Sequence, residues 1–170
     1  MKTLMELTSI NEKELPQIYC DMDQVLCDFI GGYENITGKD FAKTDKETRW
    51  DAITSKKDFW DTLPWMPGAQ GMWKLINKYD ANILSAYSNR DSNSRKGKKA
   101  WLSKNAKPKG TIYLVLRADK QKYAKTDGKP NILIDDYIKN IKEWENAGGI
   151  GVHHTSPTNT ISQLKRIGFR

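Results

Sequence analysis

Short apolar or β-rich runs recur at Gln17 to Cys20, Ala81 to Ser85, Thr111 to Leu116, Asn131 to Ile134 and Gly149 to Val152. Each has the length of a buried strand and is too short for a helix. Between them, apolar residues fall at helical spacing. Met72, Leu75, Ile76 and Tyr79 follow Pro67-Gly68 at i, i+3, i+4 and i+7. Ile138, Ile141 and Trp144 repeat at intervals of three until Gly148-Gly149 stops the pattern, and Ile161, Leu164 and Ile167 do the same near the C-terminus. Strand alternating with helix predicts an α/β protein with a mostly parallel sheet. One part breaks the alternation: from Ile30 to Leu63 there is polar, helix-compatible sequence with Trp50, Phe59 and Trp60 but no convincing strand. It reads as a small helical insertion after the first strand, and residues 1–15 read as a polar lead-in.

At 170 residues the chain fits one domain large enough to bury a real core. With 38% hydrophobic and 29% charged residues it falls in the soluble, globular class. No apolar stretch approaches the roughly 20 residues of a membrane span, and the opening MKTLMELTSINEKEL carries acids where a signal peptide has an unbroken apolar core. A cytoplasmic protein is expected. Cys20 and Cys27 are the only cysteines; they offer no C-x-x-C framework and read as reduced, packed thiols. The net charge of +7 favours anionic partners without choosing among them.

Ligands of parallel α/β sheets bind at the carboxyl ends of the strands, so the residues that end each run matter most. The first run ends in Asp21-Met22-Asp23, the second in Ser85-Ala86-Tyr87-Ser88 and the fourth in Asp135-Asp136, with Lys120, Lys122 and Lys125 between the third and fourth. Two acids one residue apart at the end of an apolar run read, in isolation, as an acidic turn. Together with Asp135-Asp136 they need a counterion, and hard carboxylate oxygens select Mg²⁺. A cation and a lysine would neutralise a bound phosphate, which one carboxylate attacks while another moves the proton.

DMDQVLCDF at Asp21 to Phe29, an apolar strand ending in Ser85, a following lysine and LIDD at Leu133 to Asp136 resemble the four motifs of the haloacid dehalogenase-like phosphohydrolases. With Phe59-Trp60 and LPWMPGA at Leu63 to Ala69, the chain is most similar to the 5'(3')-deoxyribonucleotidase group, including its phage and bacterial members. The resemblance implies a three-layer, Rossmann-like sandwich with a central parallel sheet. Residues 16–30 and 64–170 would form the catalytic core and 31–63 a small helical cap. It further implies Asp21 as nucleophile and Asp23 as general acid and base. Mg²⁺ would be held by Asp21, the backbone carbonyl of Asp23 and one of Asp135 and Asp136, Asp136 being preferred. Ser85 and the amide of Ala86 would bind phosphate with a motif lysine, either Lys120 or Lys125, Lys120 fitting the group better. Gln24 stands where the family usually has glycine, and its side chain would narrow the site or touch the leaving group.

Phe29, Phe59 and Trp60 are candidates for stacking on a base, against the alternative that they are core. The run Arg95, Lys96, Lys98, Lys99, Lys104, Lys107 and Lys109 around Trp101 reads as a solvated helix face in preference to a nucleic-acid surface. His153 and His154 read as strand-end residues. No Walker loop, H-E-x-x-H or G-x-S-x-G occurs, which removes the common triphosphatase, zinc-protease and serine-hydrolase classes. The function expected is Mg²⁺-dependent hydrolysis of a small phosphomonoester, a nucleoside monophosphate above all. Another phosphate ester, polynucleotide ends, or an idle nucleotide-binding module are the alternatives.

Overall fold

A computed structural model of the chain describes residues 15–170; of the expected lead-in, residues 1–14 lie outside the described residues. At the centre of the fold is β1 (Ile18–Cys20), whose three residues are all buried. β2 (Asn82–Ala86) and β6 (Ile132–Asp135) flank it, β3 (Ile112–Val115) and β7 (Ile150–His153) form the edges, and all four pairings of the order β3-β2-β1-β6-β7 are parallel. The five strands expected from the apolar runs are these five, with bounds displaced by about a residue. A two-stranded antiparallel ribbon, β4 (Lys125–Thr126) and β5 (Lys129–Pro130), was not expected.

Strand side chains alternate across the sheet, and here the alternation divides the core in two. Ile18, Cys20, Ile83, Ile132 and Ile134 enter a large cluster with Met72, Ile76, Trp101 and Leu164, while Tyr19, Leu84 and Leu133 meet Ile141, Trp144 and Ala124 on the other side. The first face is covered by α3 (Ala69–Asn77), α4 (Ser94–Trp101) and α6 (Pro157–Ile167), and the second by α5 (Ile138–Asn146) and a 3-10 helix at Arg117–Tyr123. This is the three-layer α/β sandwich. Both faces are buried, so the strands read as continuous apolar runs.

Between β1 and α3 lie α1 (Phe29–Thr37) and α2 (Lys46–Ser55), each started by an aspartate. Asp28 accepts from the Gly31 N–H at 2.9 Å and Asp45 from the Thr48 N–H at 2.9 Å, which satisfies amide donors that a helix start leaves free. Phe29, Tyr33, Phe41, Phe59 and Trp60 interlock in this region with ring centroids 5.3–5.8 Å apart. Gly97 lets α4 press against it, because a Cβ there would stand 2.5 Å from the Cβ of Trp60. Cys20 and Cys27 are free and buried. Among the described residues no helix is long and apolar enough to cross a membrane.

Candidate active site

The Asp21 N–H donates to the Ile134 carbonyl at 2.9 Å, carrying the β1–β6 pairing one residue beyond β1. Asp21 therefore leaves the sheet beside Asp135, the last residue of β6. Asp21, Asp135 and Asp136 offer oxygen atoms within 4.8 Å of one another. Among the described residues one ammonium pairs with this group: Lys120 Nζ lies 3.0 Å from Asp21 Oδ1 and 2.8 Å from Asp135 Oδ2. Asn140, in the first turn of α5, donates to the same Asp135 oxygen at 3.0 Å, and the Tyr137 N–H donates to Asp135 Oδ1 at 2.9 Å. Asp135 is completely buried yet fully hydrogen-bonded, the condition under which burial of a carboxylate is tolerated.

Three carboxylates against one ammonium leave two negative charges, the charge of a single divalent cation. The imbalance shows in the titration of the site. Burial, then Asp21 and Asp135, push Asp136 up to about 7, and burial and Asp21 raise Asp135. Burial opposes the charge of Lys120, but Asp21 and Asp135 outweigh it and hold the ammonium well above its usual range. A hard, all-oxygen donor set with surplus negative charge fits Mg²⁺. The carboxylate of Asp23 is not in this cluster, so any contribution to a metal is left to its main chain.

Asp23 points elsewhere. Its Oδ2 is 2.7 Å from Lys98 Nζ, and that ammonium also donates to Ser85 Oγ at 2.9 Å and to the Ala86 carbonyl at 2.8 Å. Lys98 is 1% exposed. The basic run is thus not a wholly solvated face: α4 buries Ser94, Lys98 and Trp101, and Lys98 joins the ends of β1 and β2. Its signal was in the sequence, since positions 94, 98 and 101 share one helical face with a tryptophan. Asp23 Oδ1 is buried without a hydrogen-bond partner among the described residues.

The remaining expected site residues fall in different places. Lys125 is exposed on the β4–β5 ribbon, with its side chain against Gly148, and it is Lys120 that reaches the carboxylates. Gln24 takes a left-handed φ of 59°, the conformation glycine adopts freely. Its side chain accepts from the Ile30 N–H at 3.0 Å at the start of α1 instead of reaching toward a ligand. Phe59 and Trp60 are 1% and 3% exposed, and the Trp60 indole donates to buried Asp91 at 2.7 Å. Phe29 is half-buried and lines a cavity of about 170 Å³ with Phe41, Lys46, Arg49, Trp50 and Ile53. His153 ends β7, with Nε2 3.0 Å from the Asp136 carbonyl; that contact and the Asn140 bond were not anticipated.

Solved structures share this architecture. An uncharacterized protein from Corynebacterium glutamicum superposes with a TM-score of 0.50 at 15% identity, covering 92% of this chain and 97% of that one. A haloacid dehalogenase-like family hydrolase from Streptococcus pneumoniae superposes with a TM-score of 0.52 at 11% identity, covering 89% and 99%. No family model and no curated protein matches the sequence. The fold is therefore haloacid dehalogenase-like, with an acidic cluster and two buried lysines at the carboxyl end of its sheet.

The perturbed Asp136 makes a pH prediction. Its folded pKa lies above the ordinary 3.8, so between about 4 and about 7 the folded state binds more protons than the unfolded state, and stability contributed here falls as pH rises. Thermal melts in EDTA should show this decline. Added Mg²⁺ should raise the melting temperature more above pH 7 than at pH 5, because at the lower pH it must displace a proton. An equal Mg²⁺ shift at both pH values would contradict the assignment of Asp136 to the cation.

Proposed function

We propose that this protein is a Mg²⁺-dependent phosphomonoester hydrolase acting on deoxynucleoside monophosphates. The observation that carries the reading is the group of Asp21, Asp135 and Asp136, with Lys120 paired to the first two, at the strand ends where such sheets bind ligands. The hydrolase description of the Streptococcus pneumoniae neighbour agrees with it.

Asp21, Asp136 and the main-chain carbonyl of Asp23 would hold Mg²⁺, which when bound draws charge from the phosphate oxygens. Lys120, Ser85 and the Ala86 N–H orient those oxygens. The Asp21 carboxylate attacks phosphorus, the ester P–O bond breaks, and the departing oxygen takes a proton from the Asp23 carboxyl group. Asp23 then removes a proton from water, whose oxygen attacks the same phosphorus; the Asp21–phosphorus bond breaks, returning the carboxylate and releasing inorganic phosphate. Lys98 fixes Asp23 relative to Ser85, and positioning with charge neutralisation supplies most of the rate, as in phosphoryl transfer generally. The nucleoside half is assigned to the aromatic cavity beside Phe29, with Phe59 and Trp60 packed behind it.

The test is phosphate release from deoxy- and ribonucleoside monophosphates beside a generic aryl phosphate, with Mg²⁺ and with EDTA. Metal-dependent release that is fastest from deoxynucleotides is the expected result. Release from the aryl ester alone would remove the substrate while keeping the chemistry, and no release from any ester would remove both.

A further inference from the structure

Helix α4 and the chain that follows it carry charge that the acidic site does not use. From Ser92 to Ala118 there is no Asp or Glu and there are eight of the 28 Lys and Arg residues, leaving 20 cations against 21 acids in the rest of the sequence. The whole positive excess of the protein lies in this segment. Two of the eight are consumed, Lys98 by Asp23 and Arg117 by Glu143. Arg95, Lys96, Lys99, Lys104, Lys107 and Lys109 are exposed, and none has a carboxylate within ion-pair distance among the described residues.

These cations begin near the carboxyl end of β2, the strand beside β1. Arg95, Lys96 and Lys99 stand on the outer arc of α4, opposite the face that buries Lys98. The Arg95 guanidinium lies 3.8 Å over the ring of Tyr87, the residue after Ala86 at the end of β2. Beside them a groove of about 300 Å³ runs along the free edge of β3, lined by Arg95, Lys99, Tyr113, Leu114 and Tyr123 among others. Cations spaced along a helix beside aromatic rings form the surface on which single strands bind, phosphates on the charges and bases on the rings. A bilayer would require large apolar residues among the cations, and between Arg95 and Lys109 the exposed residues other than the cations are Ala100 and Ser103. An acidic peptide would match the charge but make no use of the tyrosines.

We propose that the outer face of α4 and the adjoining β3 groove bind single-stranded nucleic acid. Binding itself does not depend on the hydrolase reading. Where both hold, a strand lying on α4 brings a phosphorylated end toward Asp21, and polynucleotide ends join the substrate class.

The test is fluorescence anisotropy of labelled oligo-dT with the full chain in EDTA, across a salt series. Wild type should bind at low salt and weaken as salt rises. The triple variant Arg95→Ala, Lys96→Ala, Lys99→Ala should lower the log–log salt slope by about 2 and weaken binding roughly tenfold or more. That variant should melt at the wild-type temperature, which shows that it is folded. A control triple at Lys139, Lys142 and Lys165 should bind as wild type, and so should Asp21→Asn, which separates this surface from the chemistry. Absence of binding at low salt, an equal loss in the control triple, or tighter binding of poly-glutamate than of oligo-dT would overturn the proposal.

Discussion

Asp21→Asn is expected to lower Mg²⁺-dependent phosphate release by about three orders of magnitude or more, the scale on which loss of a nucleophile acts. An amide oxygen does not attack phosphorus, and the substitution is close to isosteric. Its effect on stability should be of the opposite kind. Without a cation, Asp21 and Asp135 share the Lys120 ammonium while Asp136 lies close beside them, so removing one charge relieves repulsion. In EDTA the variant should melt at or above the wild-type temperature. An inactive variant that also melted well below wild type would place Asp21 in the scaffold and remove it from the chemistry.

The second large effect is expected at Lys120. Lys120→Met keeps much of the side chain's bulk but leaves Asp21 and Asp135, 9% and 0% exposed, without their counter-charge. Breaking a buried pair on one side costs about 3–5 kcal/mol, and that loss should appear in chemical denaturation at neutral pH in EDTA. The sign follows from the raised pKa of Lys120. Its pairing contributes below the ordinary lysine range for as long as Asp21 and Asp135 stay ionised, and on the alkaline side it is lost as pH climbs through the folded value. Acidification should narrow the gap between variant and wild type, as the orphaned carboxylates take up protons. Mg²⁺ should narrow it as well, by supplying charge at the same place. A variant as stable as wild type in EDTA would mean that the carboxylates already hold protons and that the charge count of the site is wrong. Phosphate release should fall with the lost cation whatever the stability shows.

The layers of the fold were legible because each central strand is buried on both faces and so appears as an unbroken apolar run. The β4–β5 ribbon was not legible: Lys125-Thr126 and Lys129-Pro130 are two-residue strands with exposed side chains, and they leave no hydrophobic period. The acids of the site stood at strand ends, where topology predicts chemistry. Lys98 was hidden by its neighbours, because among seven cations the charge pattern outweighed the three-point helical face that buries it. Gln24 was hidden for another reason. A side chain where glycine is usual invites a steric reading, whereas the fold accepts the left-handed backbone and spends the amide on the first turn of α1. Trp60 was visible as an aromatic, but its partner Asp91 lies in a loop 31 residues away, a distance no local pattern spans.

The claim on which the rest depends is that Asp21 forms a bond to phosphorus. It is tested by quenching the protein in acid during incubation with an aryl phosphate and Mg²⁺, digesting it and measuring the mass of the peptide that contains Asp21. The expected result is a gain of one phosphoryl group, HPO₃, on that peptide, localised to Asp21 by fragmentation and absent from the Asp21→Asn variant. Phosphate released at the wild-type rate with no adduct at Asp21, or with the adduct on another residue, would contradict it.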